Sequence, residues 1–522
     1  MKKHEARING RPGYVAMVKT ALLCTVILFQ CISVNIGEAA QTAGGVNWLD
    51  PAAYQKPAFV PLTVPDESAA TKYYVDLAAG NDSNSCTASS APCKTMNGLA
   101  GKAYSPLRGG GTAGAYVYLR GNGKFTLTSS FSGASGKEIV IKPWPGDSTI
   151  YYFTADGCAS SSNPNTFGAN SDPSSVQYVI LDGGPNLQFV FRGANASGCN
   201  VNFDGALSWN GSNNTLYRIQ ITGNGQNNND LIGMANGTGN FTNLRMINCE
   251  LHDAKSFTGD PNSDQNYGLY GGGATSCSAG CSGGATVTNA QFISNIWRDL
   301  NSLGIQIEPR CASTGLVISG NAFHDLGHHS CGGKWYCRPA IAVTDSCGGN
   351  NSGYIISNNL IWSTASSCMW LYGGTGSVFN NSCYSFAEGT GSGSGLDTYN
   401  SAIAGYGGSL SGKTVENNIM YSPYSSSFAN GSPTMSYNIC SGSCGSSSKT
   451  WSSSTWLSTD QANSNFMKIG TNSNAYNSGL TISSVTTDYA GVARTSGTAY
   501  DIGAIEYAPS TVPSAPIIIN IQ

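Results

Sequence analysis

Ile318-Ser-Gly-Asn321-Ala-Phe-His-Asp325 and Ile356-Ser-Asn-Asn359-Leu-Ile are two appearances of one phrase. It returns as Ile293-Ser-Asn295-Ile-Trp, Val378-Phe-Asn-Asn381-Ser-Cys, Val415-Glu-Asn-Asn418-Ile-Met and Met435-Ser-Tyr-Asn438-Ile-Cys. From Asn295 to Asn321 is 26 residues, from Asn359 to Asn381 is 22 and from Asn418 to Asn438 is 20, the period of one solenoid coil. A coil this short cannot bury its own apolar face, so the coils must stack into one continuous core. An Asn at a repeated inward turn can give its amide to the backbone and to the Asn of the next coil, satisfying polar groups that the turn would otherwise bury. The expectation is an all-β chain whose central part, 176–445, is a parallel β-helix.

Outward from that core, the N-terminus reads as an export signal. Lys2, Lys3, Arg7, Arg11 and Lys19 precede the apolar run Ala21 to Val34, and small residues follow at Gly37, Ala39 and Ala40. That pattern predicts a signal peptide over 1–40, and the run is shorter than the roughly 20 residues that cross a bilayer. Residues 41–71 read as a spacer. Charged residues make up 11% of the chain, the net charge is −3, and there are 66 Gly, yet 40% of residues are apolar and 10% aromatic. The balance favours a folded core over disorder and offers no basic field for nucleic acid. Two of the 17 cysteines, Cys24 and Cys31, leave with the signal. The remaining load fits an oxidising compartment. Pairs close in sequence are the first expectation: Cys86 with Cys93, Cys277 with Cys281, Cys331 with Cys337, Cys368 with Cys383 and Cys440 with Cys444, with Cys249 left as a thiol because it stands at the ladder position of Ile247-Asn-Cys249. No Cys and His spacing matches a zinc site.

Short alternating strands broken by Gly, Asn and Pro open the folded part. The order Tyr73-Tyr-Val-Asp-Leu-Ala-Ala-Gly-Asn81-Asp, Ala91-Pro-Cys-Lys94-Thr and Ala115-Tyr-Val-Tyr-Leu-Arg120-Gly resembles the opening of exported bacterial right-handed parallel β-helix proteins, including family-nine polysaccharide lyases. The resemblance implies a right-handed helix with an N-terminal cap and first coils over 72–175, the cap hiding the sheet edge. Asn ladders are likewise typical of the pectate-lyase-like β-helices. Ala475-Tyr-Asn-Ser-Gly479, Asp488-Tyr-Ala-Gly491, Arg494 and Asp501-Ile-Gly-Ala-Ile-Glu-Tyr507 resemble a module that closes many such proteins, placed here at 446–507. The tail 508–522 carries no membrane span, so no transmembrane anchor is expected in the mature chain.

Chemistry-bearing residues cluster around three coils. Four residues past Asn295 and Asn321 stand Asp299 and Asp325, and aligning Cys249 with those Asn residues brings Asp253 into the same slot. Stacked strands lie about 4.8 Å apart, so carboxylates in neighbouring coils repel unless a cation or basic side chain lies between them. Ca²⁺ is one solution, the interleaved His252, Arg298 and His324 are another, and capping of each Asp's own turn is the plain structural reading. Insertions follow this slot after Asp253, Asp325 and Ser385, and insertions at one edge of a solenoid mark a binding face. On the strand beyond, alternation in Gly304-Ile-Gln-Ile-Glu308 turns Gln306 and Glu308 outward to solvent, beside Tyr270, Ala342, Thr344, Trp370 and Tyr372 of other coils. Exposed aromatics beside acids and bases suit stacking on sugar rings, and Arg310, Lys334 and Arg338 can bind a uronate carboxylate.

The expected partner is therefore an extracellular polysaccharide, in a secreted or periplasmic setting. A lyase needs a base for the proton beside the carboxylate and a cation for the resulting charge. Lys334, Arg310 or His324 fits the base, with Glu308 or the Asp stack holding metal. A hydrolase needs paired carboxylic groups, for which Glu308 with Asp299 or Asp325 is the candidate, and the Asn-Thr-Asp, Asp-Asp, Gly-His-Gly and Arg-Ile-Lys set of polygalacturonases is absent. A non-catalytic glycan-binding, adhesin or structural β-helix fits the low charge and disulfides as well. His328-His329 reads as a solvated loop pair, and sequons such as Asn195-Ala-Ser as chance in an Asn/Ser/Thr-rich chain.

Overall fold

The phrase that recurs in the sequence becomes a corner between two sheets. In the computed structural model, which describes residues 46–508 apart from 51, 53, 128–130, 156–164, 169–173, 194–204, 224–229, 235–238, 255–266, 273–284, 301, 309–311, 328–337, 345–350, 389–400, 406–408 and 495–496, each coil adds one strand to each of three sheets. One coil runs through Gln291–Ile293, Ile296–Leu300 and Ile305–Ile307, and the next through Val317–Ser319, Ala322–Leu326 and Ile341–Val343. The first, second and third sheets hold 12, 11 and 9 strands among the described residues. Their strands pair in parallel and in register, as Phe292 with Ile318, Trp297 with Phe323 and Ile305 with Ile341. This is a right-handed parallel β-helix.

Period-two alternation decides which side chains enter the core. Met246, Phe292, Ile318, Ile356 and Val378 point in from the first sheet; Leu251, Trp297, Phe323 and Ile361 from the second; Leu269, Ile305, Ile341 and Met369 from the third, all fully or almost fully buried. At the open N-terminal end, Thr95 Oγ1 accepts from Gly98 N to start the short helix Met96–Ala100, which buries Met96 and Leu99. The Cys86–Cys93 disulfide staples the loop before it, and Cys368–Cys383 and Cys440–Cys444 are also formed. Cys277, Cys281, Cys331 and Cys337 lie outside the described residues.

The corner has two parts. A residue with left-handed backbone comes first: Asn248, Ser294, Gly320, Asn358, Asn380, Asn417 and Tyr437, with φ between 52° and 67°, a region that Gly and Asn enter most readily. The ladder Asn follows, fully buried. Asn359 Oδ1 accepts from the backbone N–H and the Nδ2 of Asn321, and its own Nδ2 donates to Asn381 Oδ1 and to the Ile318 carbonyl. The same pattern links Asn295 to Asn321, Asn381 to Asn418 and Asn418 to Asn438. Cys249 heads the stack as a free, buried thiol. Its Sγ lies 3.5 Å from the Leu216 carbonyl and 3.4 Å from that of Ile247, the places an Asn amide would donate to, and its N–H donates to Asn295 Oδ1.

Outside the helix the sequence reading needs correcting. Residues 46–70 apart from 51 and 53, within the stretch read as a spacer, form a strap packed on the outer faces, with Val46, Tyr54 and Val60 buried. The left-handed Asn248 pairs with the strap as a strand would, its Oδ1 accepting from Val60 N and its Nδ2 donating to Val60 O. Asn417 holds the C-terminal segment in the same manner at Leu480, while Asn358 and Asn380 donate to its Thr487 and Asp501 carbonyls. Fully buried Arg494 completes that lock on Glu506 and Asn358. Strap and closing segment together cover much of the second sheet's outer face, burying Trp362 among Tyr54, Phe466 and their neighbours. The expected alternation is present, but the outward residues there meet protein, not water.

Candidate functional site

On the second sheet, outward-facing His252, Arg298, His324 and Trp362 stand in register, one per coil. Each basic residue takes the carboxylate that follows it: His252 Nδ1 to Asp253 Oδ2, Arg298 NH1 to Asp299 Oδ2 and His324 Nδ1 to Asp325 Oδ2, each at 2.7 Å. The three Asp have φ of 58°, 52° and 55°, a left-handed bulge that Asp tolerates, and Ser363 and Ser385 repeat it in later coils. The acidic slot is thus a turn position whose charges are answered by side chains of the same coil. Among the described residues no group of three or more His, Cys, Asp or Glu side chains is placed to hold a metal ion.

Sequence reading missed what lies above this row. Strap residue Asp50 meets His324 Nε2 at 3.1 Å and Lys56 Nζ at 3.3 Å. Trp362 stacks on His324 with centroids 4.4 Å apart, and Tyr54 closes its edge. Burial opposes charge on His324, but hydrogen bonds and charges from Asp325 and Asp50 outweigh it and raise the imidazole above its ordinary value. Burial likewise pushes Asp50 up, and its His324 and Ala52 partners pull it further down, leaving it depressed. Glu250, fully buried, takes Arg298 through two nitrogens and the Leu49 N–H on its other oxygen. The partners lie up to 274 residues apart, and no local pattern marks them. The parity that turns His252 outward does turn Glu250 outward too, which was the one available signal.

The third sheet brings a different set together. Tyr270, Gln306, Ala342 and Trp370 form one outward row in register. Tyr270 OH donates to Glu308 Oε2 at 3.1 Å, Gln306 Nε2 donates to the same oxygen at 2.6 Å, and Arg338 NH1 donates to Gln306 Oε1 at 3.4 Å. The Arg338 guanidinium lies over the ring of Tyr267, 5.2 Å from its centroid. Burial, and then Glu308, push the Tyr270 hydroxyl far up, so it stays protonated and donates. Gln306 and Trp370 are each 5% exposed, whereas Tyr270, Glu308, Arg338 and Tyr372 are part-exposed. Four of the residues singled out from sequence therefore meet in one network, while His324 and the three Asp belong to the other sheet, beneath or beside the strap. Arg310 and Lys334 lie outside the described residues. So do 255–266, 328–337 and 389–400, through which the chain passes from the second sheet to the third.

Fold and network define the class of this protein, a right-handed parallel β-helix with a polar strip on its third sheet. The solved structure of pectate lyase Pel9A aligns over 84% of this chain and 96% of its own at 15% identity, with a TM-score of 0.52. A rhamnogalacturonan lyase aligns over 77% of this chain and 97% of its own, at 15% identity and TM-score 0.41. A lacto-N-biosidase from Eubacterium ramulus aligns over 70% and 67%, at 12% identity and TM-score 0.40. No protein-family model matches the chain, and no curated protein matches it. At these identities the likeness is one of fold.

Proposed function

We propose that this chain is an exported carbohydrate-active enzyme that cleaves an acidic, uronate-containing polysaccharide by β-elimination. The observation that carries the reading is the third-sheet network, in which an anion, Glu308, and a cation, Arg338, are held apart by the neutral Gln306 amide beside Tyr267, Tyr270 and Trp370. A guanidinium suits the sugar carboxylate, and a row of one side chain per coil suits a repeating polymer. In the reaction the base takes the proton on the carbon beside the carboxylate, the freed electron pair forms a double bond as the bond to the glycosidic oxygen breaks, and that oxygen leaves with a proton from water. Lys334, or Arg310, takes the base role in this reading, because His324 is 4% exposed and committed to Asp50 and Asp325. The three disulfides among the described residues support an oxidising, extracellular setting, and no helix among the described residues is long and apolar enough to cross a membrane.

Ca²⁺ belongs to this reading as a separate proposal. The described Asp253, Asp299 and Asp325 do not fit it as they stand, since each is paired with a basic side chain. The test is ultraviolet absorbance of the unsaturated uronate as purified protein meets a panel of uronate polymers, with and without chelator. Absorbance that rises with wild type and not with Lys334→Ala supports the lyase. A flat trace without new reducing ends overturns it in favour of a glycan-binding β-helix, and new reducing ends without the absorbance point to a hydrolase.

A further inference from the structure

Gln306 holds the centre of the third-sheet network with its two amide atoms turned to opposite charges. Its Nε2 donates to Glu308 Oε2 at 2.6 Å and reaches Thr344 Oγ1 at 3.4 Å, and its Oε1 accepts from Arg338 NH1. A carboxamide donates at one atom and accepts at the other, so it couples a carboxylate to a guanidinium while carrying no charge. Being 5% exposed, it is costly to leave half-satisfied. Glu308 therefore receives neutral donors, Gln306 and Tyr270. Among the described residues Arg338 enters no ion pair, and its Nε is buried with no hydrogen-bond partner. The guanidinium is steadied instead from two sides, by the Gln306 oxygen and by the Tyr267 ring, a cation–π contact.

We infer that Gln306 and Tyr267 are positioning residues that keep Arg338 from neutralising on Glu308 and hold it as a two-pronged receptor for the carboxylate of a uronate sugar. The site thereby discriminates the free acid of its substrate from the methyl ester. Gln306 separates the charges, Tyr267 supports the guanidinium's face, and Arg338 alone of the three meets the substrate anion. The inference rests on the uronate reading above and deepens it, by naming the residues that keep Arg338 available to the acid.

The experiment is calorimetric titration of the full chain with oligogalacturonate, oligoglucuronate and oligomannuronate and with the methyl ester of each, alongside the absorbance assay. Wild type should bind one acid at least about tenfold more tightly than its ester, the worth of a charge-assisted pair. Gln306→Met, close in shape and without the amide, should lose most of that ratio while ester binding changes little. Tyr267→Leu should do the same and Tyr267→Phe, which keeps the ring, should restore it, so the Tyr267 pair tests the inference should Gln306→Met fold poorly. A full ratio retained in Gln306→Met and Tyr267→Leu would overturn the positioning roles with the uronate reading intact. Equal binding of acid and ester by a wild type that still releases unsaturated product overturns the receptor and leaves the lyase standing. No binding and no product overturns both.

Discussion

Asn359→Ala tests the ladder at its most connected rung. The fully buried carboxamide accepts from Asn321 N at 3.0 Å and Asn321 Nδ2 at 2.9 Å, and donates at 2.9 Å to both the Ile318 carbonyl and Asn381 Oδ1. Truncation does not orphan all four partners. Asn321 Nδ2 keeps the Phe292 and Ser319 carbonyls, and Asn381 Oδ1 keeps the Asn359 backbone N–H. The Asn321 backbone N–H loses its acceptor and the Ile318 carbonyl loses a donor. Stranding the Asn321 N–H costs about 1–3 kcal/mol, and the bond lost at the Ile318 carbonyl, which stays in its sheet ladder, together with a small void adds about 1–2 kcal/mol, for about 2–5 kcal/mol in all. Native stability is typically about 5–15 kcal/mol, so this single change removes a large share. Urea unfolding followed by far-ultraviolet circular dichroism, at unchanged slope, should show the midpoint fall accordingly, while the exposed Thr434→Ala should stay within about 0.5 kcal/mol. A fall of less than about 1 kcal/mol for Asn359→Ala would refute the accounting, because it would mean that water or a shifted backbone satisfies the rung.

Cys249→Asn should extend the ladder by one rung, since Leu216 and Ile247 already present carbonyls at the thiol; the same urea assay should show a midpoint unchanged or raised, and a loss above about 1 kcal/mol would mean the thiol is there for its volume. In the wild type that thiol, pushed up to about 12 by burial, should resist a disulfide reagent until the chain unfolds. The strap should be held most firmly in mildly acidic solution. His324, raised above 6.5 despite burial, contributes fully below pH 6.5 and loses that contribution as pH rises through its raised value. Asp50, lowered below 3.8, contributes fully above pH 3.8 and loses it as pH falls through its depressed value. Hydrogen exchange of 46–60, corrected for intrinsic rates, should speed on the alkaline side in wild type, and Asp50→Asn should flatten that dependence. Arg494→Met leaves Glu506 and Asp488 buried without their cation, a loss of about 3–5 kcal/mol that should appear as early release of the closing segment in urea.

Much of the fold was legible because it is written locally. A coil of 20 to 26 residues repeats its turn, so the Asn at 295, 321, 359, 381, 418 and 438 announces the stack, and the alternation around Gln306 announces inside from outside. The close pair Cys368 with Cys383, 15 residues apart, joins the residue before a third-sheet strand, Met369–Leu371, to a second-sheet strand of the next coil, Ser382–Tyr384, a reach that so short a period allows. Part of the candidate site was legible for that reason too. Gln306 and Glu308 share one strand end, and Tyr270 is the residue one coil earlier in register.

What the sequence by itself determined is the β-helix, its ladder and the outward row of the third sheet, since each depends on contacts within a coil or between successive coils. Tertiary structure alone decided which outward residues meet water. Asp50 reaches His324 and Asn358 reaches Arg494 across 274 and 136 residues, and no periodicity encodes such contacts. They take His324 out of solvent while Asp325 stays part-exposed, and they turn an apparent spacer into a covering layer. The physical reason is that a solenoid's own repeat fixes the direction of every side chain, while exposure depends on whatever else the chain lays on that face.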